Sequence, residues 1–566
     1  NAENKPRDKD SERARLNFLE QLAQVRKSRK QYRALLFDAI TQRNNMIEAA
    51  EIRADEAKAV DAQLWSLGRH KEVDYFLFFV FALQLLAMLL IIIFFEFNVT
   101  TNSELRKNAF VTPVAGRGGP AASPYQYYID SALMLFAGFG FLGTFVKKYQ
   151  FSGLAYGFLI AAFAMQWVIV WTGFFQQESD PAPLQRTFLS IPHLQTAVYG
   201  ATAVAISCGA VLGRLDPLQL ALMAVAETFF FALNLFVCES LSEGYKDGNV
   251  TGRWYEDFYA QFQGRVDPGG GMLVHMFGCY FGLALSWWFR PAKTESADQR
   301  DDRDEKTDYP SNMYAFFGTA LLFVLFPSFN AAFAYSSNGG QQRVIANTVF
   351  ALVASIVGAF ATSKCAIQSG NKFGPLEIHH ATLAGGVAIA STSIYFLPAA
   401  AAMTIGFIVG VLSTACYLYL TPALKRFMRL ADTAGVHSLH GVPALVGAFV
   451  STIVVAIADS IFESTEARNA ELSDSVTELN SNINGTVSIG YTYSIKPVDL
   501  WYTDGSEHAV NHLFVLLVTF FLALIAGCLT GGFIKFFAWV TKTGVPEEDQ
   551  YQDKTTFHVP EDYVGE

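Results

Sequence analysis

The chain has 566 residues, of which 52% are hydrophobic and 16% are charged, and this charged share is well below the roughly 25% that is usual in soluble domains. The formal net charge of −10 comes with no basic stripe, which excludes nucleic acid as a partner. Apolar runs of about twenty residues, the helix length that crosses roughly 30 Å of hydrocarbon, argue against a soluble globule and predict an all-α integral membrane protein.

Residues 1–74 precede the first apolar run and differ from the rest of the chain. They are dense in charges of both signs, and apolar residues recur at helix-like intervals, as at Leu16, Leu19, Leu22 and Val25. This spacing predicts a cytosolic extension of one or two amphipathic helices. Two interpretations stay open, a solvated helical extension and a coiled-coil or docking helix for a cytosolic partner.

Twelve apolar segments follow and define a transmembrane domain over residues 75–541, with a cytosolic tail over residues 542–566. The segments lie near residues 75–97, 127–146, 152–175, 192–212, 217–238, 269–289, 312–335, 344–363, 376–397, 400–420, 433–460 and 510–540. An even number of spans places both chain ends on the same side of the bilayer.

The positive-inside rule identifies that side as the cytosol. The connections after even-numbered segments carry Lys147, Lys148, Arg290, Lys293, Lys425, Arg426 and Arg429, although Lys246, Arg253 and Arg265 lie on the other side. The N-glycosylation sequons at Asn98, Asn249 and Asn484 all follow odd-numbered segments and are therefore expected outside. Both observations predict a multi-pass protein of the cell membrane with cytosolic termini.

The cysteines do not indicate a disulfide framework or a zinc site. Cys208, Cys238, Cys279, Cys365, Cys416 and Cys528 have no paired spacing, and nearly all lie in apolar runs, which is typical of small buried hydrophobic residues. His379 and His380 are adjacent, which is poor spacing for metal ligands on one helix face. Without a specific nucleophile–base pair, metal cluster or nucleotide loop, the sequence predicts neither an enzyme nor a cofactor.

Two stretches share one pattern, an Asp followed by Gly three residues later and by His eight residues later. They run from Asp267 to His275 at the start of segment 6 and from Asp432 to His440 at the start of segment 11. These segments end two consecutive blocks of five, which must cross the membrane in opposite directions, as an inverted repeat does. Eight residues at about 1.5 Å each carry each His roughly 12 Å inward and leave about 6 Å between them. A histidine pair near the midplane is therefore predicted.

The same polar residues also have simpler interpretations. A single His in a span is usually an interhelical hydrogen-bonding group, and the matched spacing of the two blocks is what favours a functional pair. Asp267, followed by Pro and three glycines, fits either an N-cap or an acidic group that helps a cation to enter. Asp432 fits the cap still better, and Glu227 in segment 5 fits a helix–helix contact better than a vestibule lining.

A set of short motifs runs through residues 126–541. The motifs are Gly138-Phe-Gly-Phe-Leu, Leu159-Ile-Ala-Ala-Phe with Gln166-Trp167, Gly209-Ala-Val-Leu-Gly, His275-Met-Phe-Gly-Cys-Tyr-Phe-Gly-Leu, Pro327-Ser-Phe-Asn, Ala381-Thr-Leu-Ala-Gly-Gly-Val-Ala, Leu420-Thr-Pro and Leu439-His-Gly-Val-Pro. In this order they resemble the Rh glycoproteins of the ammonium transporter superfamily. The resemblance implies a homotrimer in which each subunit has its own pore for ammonia, with carbon dioxide as a second candidate substrate.

The resemblance also implies roles for individual residues. By motif, His275 and His440 correspond to the twin pore histidines, Asp267 to the acidic residue below the outer vestibule, and Phe329 to one of two stacked gating phenylalanines. The partner gate position is Tyr199, where the family usually has Phe. The added hydroxyl is expected to bond a passing solute or to narrow the opening.

Two further departures from the family concern the vestibules. His380 stands where relatives usually have Asn, and Leu235 stands where an acidic residue is common, which should weaken cation recruitment. The implied mechanism attracts ammonium, removes a proton and passes neutral ammonia, because a charge near the bilayer centre costs several kcal/mol. The main alternative is a non-transporting Rh-like membrane scaffold or ammonium sensor, and retention of both histidines argues against it.

Overall fold

The structure of the chain is a computed structural model, which describes residues 13, 15–30, 33, 37, 42–43, 75–96, 124–178, 187–243, 267–290, 305–334, 340–366, 372–395, 397–457, 505–547 and 549–559. By internal contacts the chain divides into two compact units, Asn1–Phe78 and Phe79–Glu566. In the first unit, residues 15–30 form a helix on which Leu16, Leu19, Leu22 and Val25 are exposed. The three sequons lie outside the described residues.

Twelve helical segments, α1 to α12, occupy the positions of the twelve predicted spans. They are α1 Tyr75–Phe94, α2 over residues 124–142, α3 Gln150–Glu178, α4 Ile191–Ala210, α5 Pro217–Glu243, α6 Gly271–Phe289, α7 Tyr309–Ala331, α8 Gly340–Cys365, α9 Pro375–Ile389, α10 Ala399–Met428, α11 His437–Ala456 and α12 Gly505–Thr541. The described residues also include two short strands, β1 Phe95–Glu96 and β2 Thr187–Phe188, which pair in parallel. The predicted all-helical fold is confirmed apart from this two-residue pairing.

Nine of these helices are long and apolar enough to cross a membrane, and α2, α4 and α9 are not among the nine in the described part of the chain. Their sequences explain the difference. A π-helical turn interrupts α2 at Met134–Phe139, α9 has 15 residues, and α4 carries several polar side chains. Because α4 and α9 are almost entirely buried by other helices, they need little lipid-facing apolar surface. By contrast α1, with a mean hydropathy of 3.0, is largely exposed.

Glycines let two helices of the inner bundle approach their neighbours closely. A Cβ at Gly278 of α6 would collide with the backbone carbonyl of Ala203 in α4. A Cβ at Gly447 of α11 would collide with the carbonyl of Ala388 in α9. The two contacts join corresponding helix pairs of the two five-helix blocks, in which α6 corresponds to α11 and α4 to α9. Small residues at such crossings are the usual means of close helix packing in membranes.

The residues after α12 fold back on the ends of the other helices. The carboxylate of Asp553 accepts the backbone N–H groups of Phe151 at 3.0 Å and Ser152 at 2.7 Å, so it caps the start of α3. Tyr551 is buried. Its backbone N–H donates to the Gly213 carbonyl at 3.0 Å, and its hydroxyl donates to Glu305 at 2.9 Å. The tail therefore contacts connections from three different parts of the chain.

Candidate functional site

The helix α6 begins at a buried carboxylate. Asp267 accepts the backbone N–H groups of Met272 and Leu273, both at 2.8 Å, and the hydroxyl of Ser391 at 2.8 Å. Gly270 has a positive φ of 69°, which glycine adopts without strain and which turns the chain from Asp267 into the helix. Gly270 is the N-cap residue, and the Asp267 carboxylate, which has no exposed surface, accepts N–H groups of the first helical turn from three residues earlier in the chain. Asp267 therefore stabilises the start of α6 through its own hydrogen bonds.

The helix α11 begins in the same way. Asp432 accepts the backbone N–H groups of Val436 at 2.7 Å and His437 at 3.1 Å, and Gly435 has a φ of 62°. Both carboxyl groups precede the membrane-spanning segments. Burial raises the pKa of Asp267 and of Asp432 to about 6. The N–H groups that they accept lower each pKa, but burial has the larger effect. The repeated sequence pattern thus corresponds to a repeated helix start.

The two predicted histidines lie together in the interior. His275 Nδ1 and His440 Nδ1 are 3.1 Å apart, and the two rings are within 8° of parallel. Each His stands in a π-helical turn, Gly271–Met276 in α6 and His437–Gly441 in α11, and such turns are frequent at functional sites. The predicted histidine pair forms in the structure.

The pair has a defined hydrogen-bonding capacity. If both rings are neutral, one Nδ1 donates to the other, so one ring keeps a bare Nε2 and the other carries an Nε2–H group. The Nε2 of His275 is buried and has no hydrogen-bond partner within the described residues. An exchange of tautomers would reverse the donor and acceptor ends. The pair can therefore bond a small solute that both donates and accepts.

An aromatic stack lies on one side of the pair. The Tyr199 and Phe329 rings are stacked with centroids 4.2 Å apart, and both side chains are fully buried. The Tyr199 hydroxyl donates to the backbone carbonyl of Phe329, and its oxygen lies 3.4 Å from the Pro268 carbonyl oxygen. The His275 ring lies 6.0 Å from Phe329 and 5.7 Å from Phe326. The Tyr199 hydroxyl thus bonds the backbone of its stacking partner Phe329.

A small cavity lies on the other side of the pair. Its volume is about 60 Å³. Apolar residues and glycines form most of its wall, and His440, His380 and Cys208 are the lining side chains with polar or thiol groups. His380 packs edge-on against Tyr417, and its Nδ1 is buried without a hydrogen-bond partner in the described chain. The departure at position 380 therefore places a third imidazole beside His440.

Other residues singled out in the sequence lie outside the histidine pair and the small cavity. Glu227 is buried with its Oε1 2.5 Å from the Ser207 hydroxyl oxygen, which lies 2.7 Å from the Gly278 carbonyl oxygen. This favours the helix-contact interpretation of Glu227. His379, next to His380, lies 3.3 Å from the Thr319 hydroxyl and does not line the cavity. Among the described residues no group of three or more His, Cys, Asp or Glu could hold a metal ion.

Three residues of the site had no role in the sequence predictions. Phe139 faces the His440 ring at 6.2 Å, Phe326 faces His275, and Ser391 holds Asp267. Phe139 belongs to the motif Gly138-Phe-Gly-Phe-Leu. That motif indicated the family resemblance and gave Phe139 no role of its own. Nothing in the spacing of Phe326 or Ser391 separates them from ordinary core residues.

Comparison with known protein sequences gives a consistent result. The family model described as Ammonium Transporter Family matches residues 121–554. Ammonium transporter Rh type B of Homo sapiens is 32% identical over 436 residues, which cover 77% of this chain and 82% of that protein. Rhesus-like glycoprotein B of Dictyostelium discoideum is 29% identical over 508 residues, which cover 88% of this chain and 75% of that protein.

Comparison with solved structures gives the same fold. The structure of Nitrosomonas europaea Rh50, described with the mechanism of conduction by the Rhesus protein family of channels, has a TM-score of 0.56 at 26% identity. It covers 78% of this chain and 93% of its own. A Sensor Amt Protein structure has a TM-score of 0.53 at 17% identity, covering 77% of this chain and 98% of its own, which supports the fold alone.

Proposed function

Because the chain belongs to the Ammonium Transporter Family, we propose that it carries ammonia or ammonium across a membrane. The family comparison confirms the resemblance to Rh glycoproteins that the motifs predicted. The observation that carries the proposal is the buried His275–His440 pair, which lies between two stacked aromatic rings and a mostly apolar cavity. These groups suit a small solute that crosses without charge.

The proposed mechanism follows from the cost of burying a charge. Ammonium would lose its water at the aromatic gate, and a charge near the bilayer centre costs several kcal/mol by common estimates. We propose that ammonium gives up a proton to water on the outer side, where the proton remains, and that neutral ammonia passes the stacked rings. Ammonia would then bond in turn to His275 and His440, whose paired rings offer both a donor and an acceptor.

The role of Asp267 in this mechanism is indirect. Its two oxygens already bond two backbone N–H groups and one hydroxyl, and no part of it is exposed. We propose that Asp267 holds the start of α6 and so positions His275. The competing role, direct attraction of an entering cation, has no exposed surface to act through.

Orientation, assembly and further ligands rest on the sequence predictions. We propose a multi-pass protein of the cell membrane with both termini in the cytosol and with candidate glycosylation at Asn98, Asn249 and Asn484. We further propose a homotrimer with one pore in each subunit, carbon dioxide as a second candidate substrate, and a cytosolic docking role for residues 1–74. The domain limits at residues 74 and 541 belong to the same proposal.

A non-transporting scaffold or sensor remains the second candidate because of the outer gate. The bond from the Tyr199 hydroxyl to the Phe329 carbonyl fixes a closed stack, and Leu235 supplies no acidic charge. A protein with a permanently closed gate could still bind ammonium on its outer side. The two candidates differ in whether solute reaches the other side of the bilayer.

Flux through reconstituted protein separates these two functions. Ammonia is added outside the liposomes. The internal pH should rise several-fold faster in liposomes that contain the protein than in empty liposomes. Gel filtration of the same sample would establish that the protein is folded. Equal rates for folded protein and empty liposomes would reject transport and leave the scaffold or sensor.

Replacing Tyr199 by Phe should speed transport. The change restores the family's usual residue and removes one hydrogen bond, typically about 0.5–1.5 kcal/mol, that holds the stacked rings closed. If ring separation limits passage, the rate of internal alkalinisation should rise by roughly 2- to 10-fold. A rate equal to or below that of the wild type would show that the hydroxyl does not restrain the gate.

Replacing His380 by Ala should slow transport, whereas replacing it by Asn should not. Alanine removes a hydrogen-bonding group from the cavity next to His440, at a cost of about 0.5–1.5 kcal/mol for bound ammonia, or roughly 2- to 10-fold in rate. Asparagine keeps a donor and an acceptor at this position. Unchanged flux in His380→Ala would place the third imidazole outside the conduction path.

A further inference from the structure

A second cavity, of about 420 Å³, lies at the ends of α6 and α12 on the side of the protein that carries the C-terminal tail. Its wall consists of Arg214, Gln219, Phe289, Arg290, Lys535, Ala538, Trp539, Thr543, Gly544, Val545, Pro546, Glu547 and Gln550. It is separate from the cavity beside His440.

The inner end of this cavity presents fixed hydrogen-bond donors. Gln219 is 2% exposed, and its Oε1 accepts the backbone N–H of Asp216 at 3.0 Å, so its Nε2 amine is the group that remains for a ligand. Arg214, also 2% exposed, is held by Glu305 at 3.0 Å and lies over the Tyr551 ring at 5.4 Å. Both side chains are therefore positioned before any ligand binds.

The rim of the cavity, at its open end, adds positive charge. The Arg290 guanidinium lies 4.4 Å from the Trp287 ring centroid, and the Lys535 ammonium lies 5.3 Å from that of Phe289. The ion pairs between described residues join Arg214 and Lys425 to Glu305, and neither rim cation takes part in them. Glu547 is the one carboxylate in the wall of the cavity. The cavity therefore has an excess of positive charge, and most of its polar groups are donors.

The position of the rim points to a lipid. Trp539 is 76% exposed and Phe536 is 61% exposed, at the last turns of α12, where aromatic side chains mark a membrane interface. A basic pocket between the cytosolic ends of membrane helices is a typical site for an anionic headgroup. The proposed orientation makes this side cytosolic, the leaflet in which anionic lipids concentrate.

We propose that this cavity binds the phosphate group of an anionic phospholipid, with Arg214 and Gln219 at its inner end and Arg290 and Lys535 at its rim. Phosphate accepts several hydrogen bonds, and its negative charge would balance the positive charges of the two rim cations. The bound headgroup would connect α6, α12 and residues 543–550 of the tail. This ligand is independent of the solute that crosses the pore.

Native mass spectrometry of the detergent-solubilised full chain tests the site. Equal amounts of dioleoyl phosphatidylserine and dioleoyl phosphatidylcholine are added, and we expect phosphatidylserine to be retained preferentially. The double variant Arg290→Gln with Lys535→Gln should bind phosphatidylserine on the order of tenfold more weakly, because two cations near the headgroup are lost. The matched variant Lys364→Gln with Arg426→Gln removes the same charge outside the cavity and should bind as the wild type does.

Equal retention of the two lipids, or an equal loss in both double variants, would overturn the proposal. Thermal unfolding of each variant without lipid would confirm that it is folded before binding is compared. A second arm adds sodium phosphate or sodium chloride at one ionic strength. If inorganic phosphate alone raises the melting temperature of the wild type but not of Arg290→Gln with Lys535→Gln, the ligand is free phosphate and the lipid assignment is wrong.

Discussion

Replacing His275 and His440 together by alanine is expected to slow ammonia flux by roughly 5- to 150-fold without unfolding the protein. Each imidazole offers ammonia one hydrogen bond inside an apolar path, and a net bond contributes about 0.5–1.5 kcal/mol, so the loss of two costs about 1–3 kcal/mol. The measurement is the rate of internal alkalinisation in liposomes that contain equal amounts of folded protein.

The single variants sharpen this prediction. The two rings bond each other at 3.1 Å, so the loss of either one leaves its partner in the wrong environment. We therefore expect each single replacement to cost nearly as much as the double replacement, as coupled residues do. His379→Ala is the matched control, because His379 is buried near Thr319 and does not line the cavity. Wild-type flux in the double variant would remove the histidine pair from the conduction path.

Replacing Asp267 by Ala is expected to lower the free energy of unfolding by about 2–4 kcal/mol and to abolish most flux. The carboxylate accepts three hydrogen bonds, and its loss leaves two buried backbone N–H groups and the Ser391 hydroxyl without an acceptor. Thermal unfolding of detergent-solubilised protein measures the first effect. The second follows because the displaced helix start carries His275.

Two variants identify the reason for that loss. Asp432→Ala removes the equivalent cap of α11, which has two backbone donors, and should therefore destabilise the protein less. Asp267→Asn keeps a side-chain oxygen acceptor while removing the charge. If Asp267 acts as a cap, Asp267→Asn should retain most of the stability and most of the flux. A stable Asp267→Asn protein without flux would instead establish direct attraction of the cation.

The spans and the histidine pair could be predicted because both are encoded locally in the sequence. A span requires a continuous apolar run, and twelve such runs mark the positions of α1 to α12. The spacing from Asp to His predicts a similar depth for each imidazole, and the odd number of helices in each block predicts their opposite directions. Asp267 and Asp432 were interpreted as N-cap residues from their neighbours in the chain. In the structure the N-cap residues are Gly270 and Val436, and the two carboxylates accept N–H groups at the helix starts from earlier in the chain.

Features that depend on distant contacts could not be predicted in the same way. Ser391 reaches Asp267 from a turn more than one hundred residues later in the chain. The cavity beside His440 forms where α2, α4, α9 and α11 meet, so the adjacent His379 and His380 have different surroundings that sequence alone does not distinguish. The π-helical turns at both histidines likewise depend on packing around α6 and α11.

The central claim is that neutral ammonia, not ammonium, passes the His275–His440 pair. Membrane current recorded together with internal pH in vesicles that contain the wild-type protein tests it most directly. The proposed mechanism predicts rapid, protein-dependent alkalinisation with no accompanying current, because the apolar path has no place for an uncompensated charge. A steady inward current of about one charge per ammonia delivered by the wild-type protein, and lost in the His275→Ala with His440→Ala protein, would contradict it.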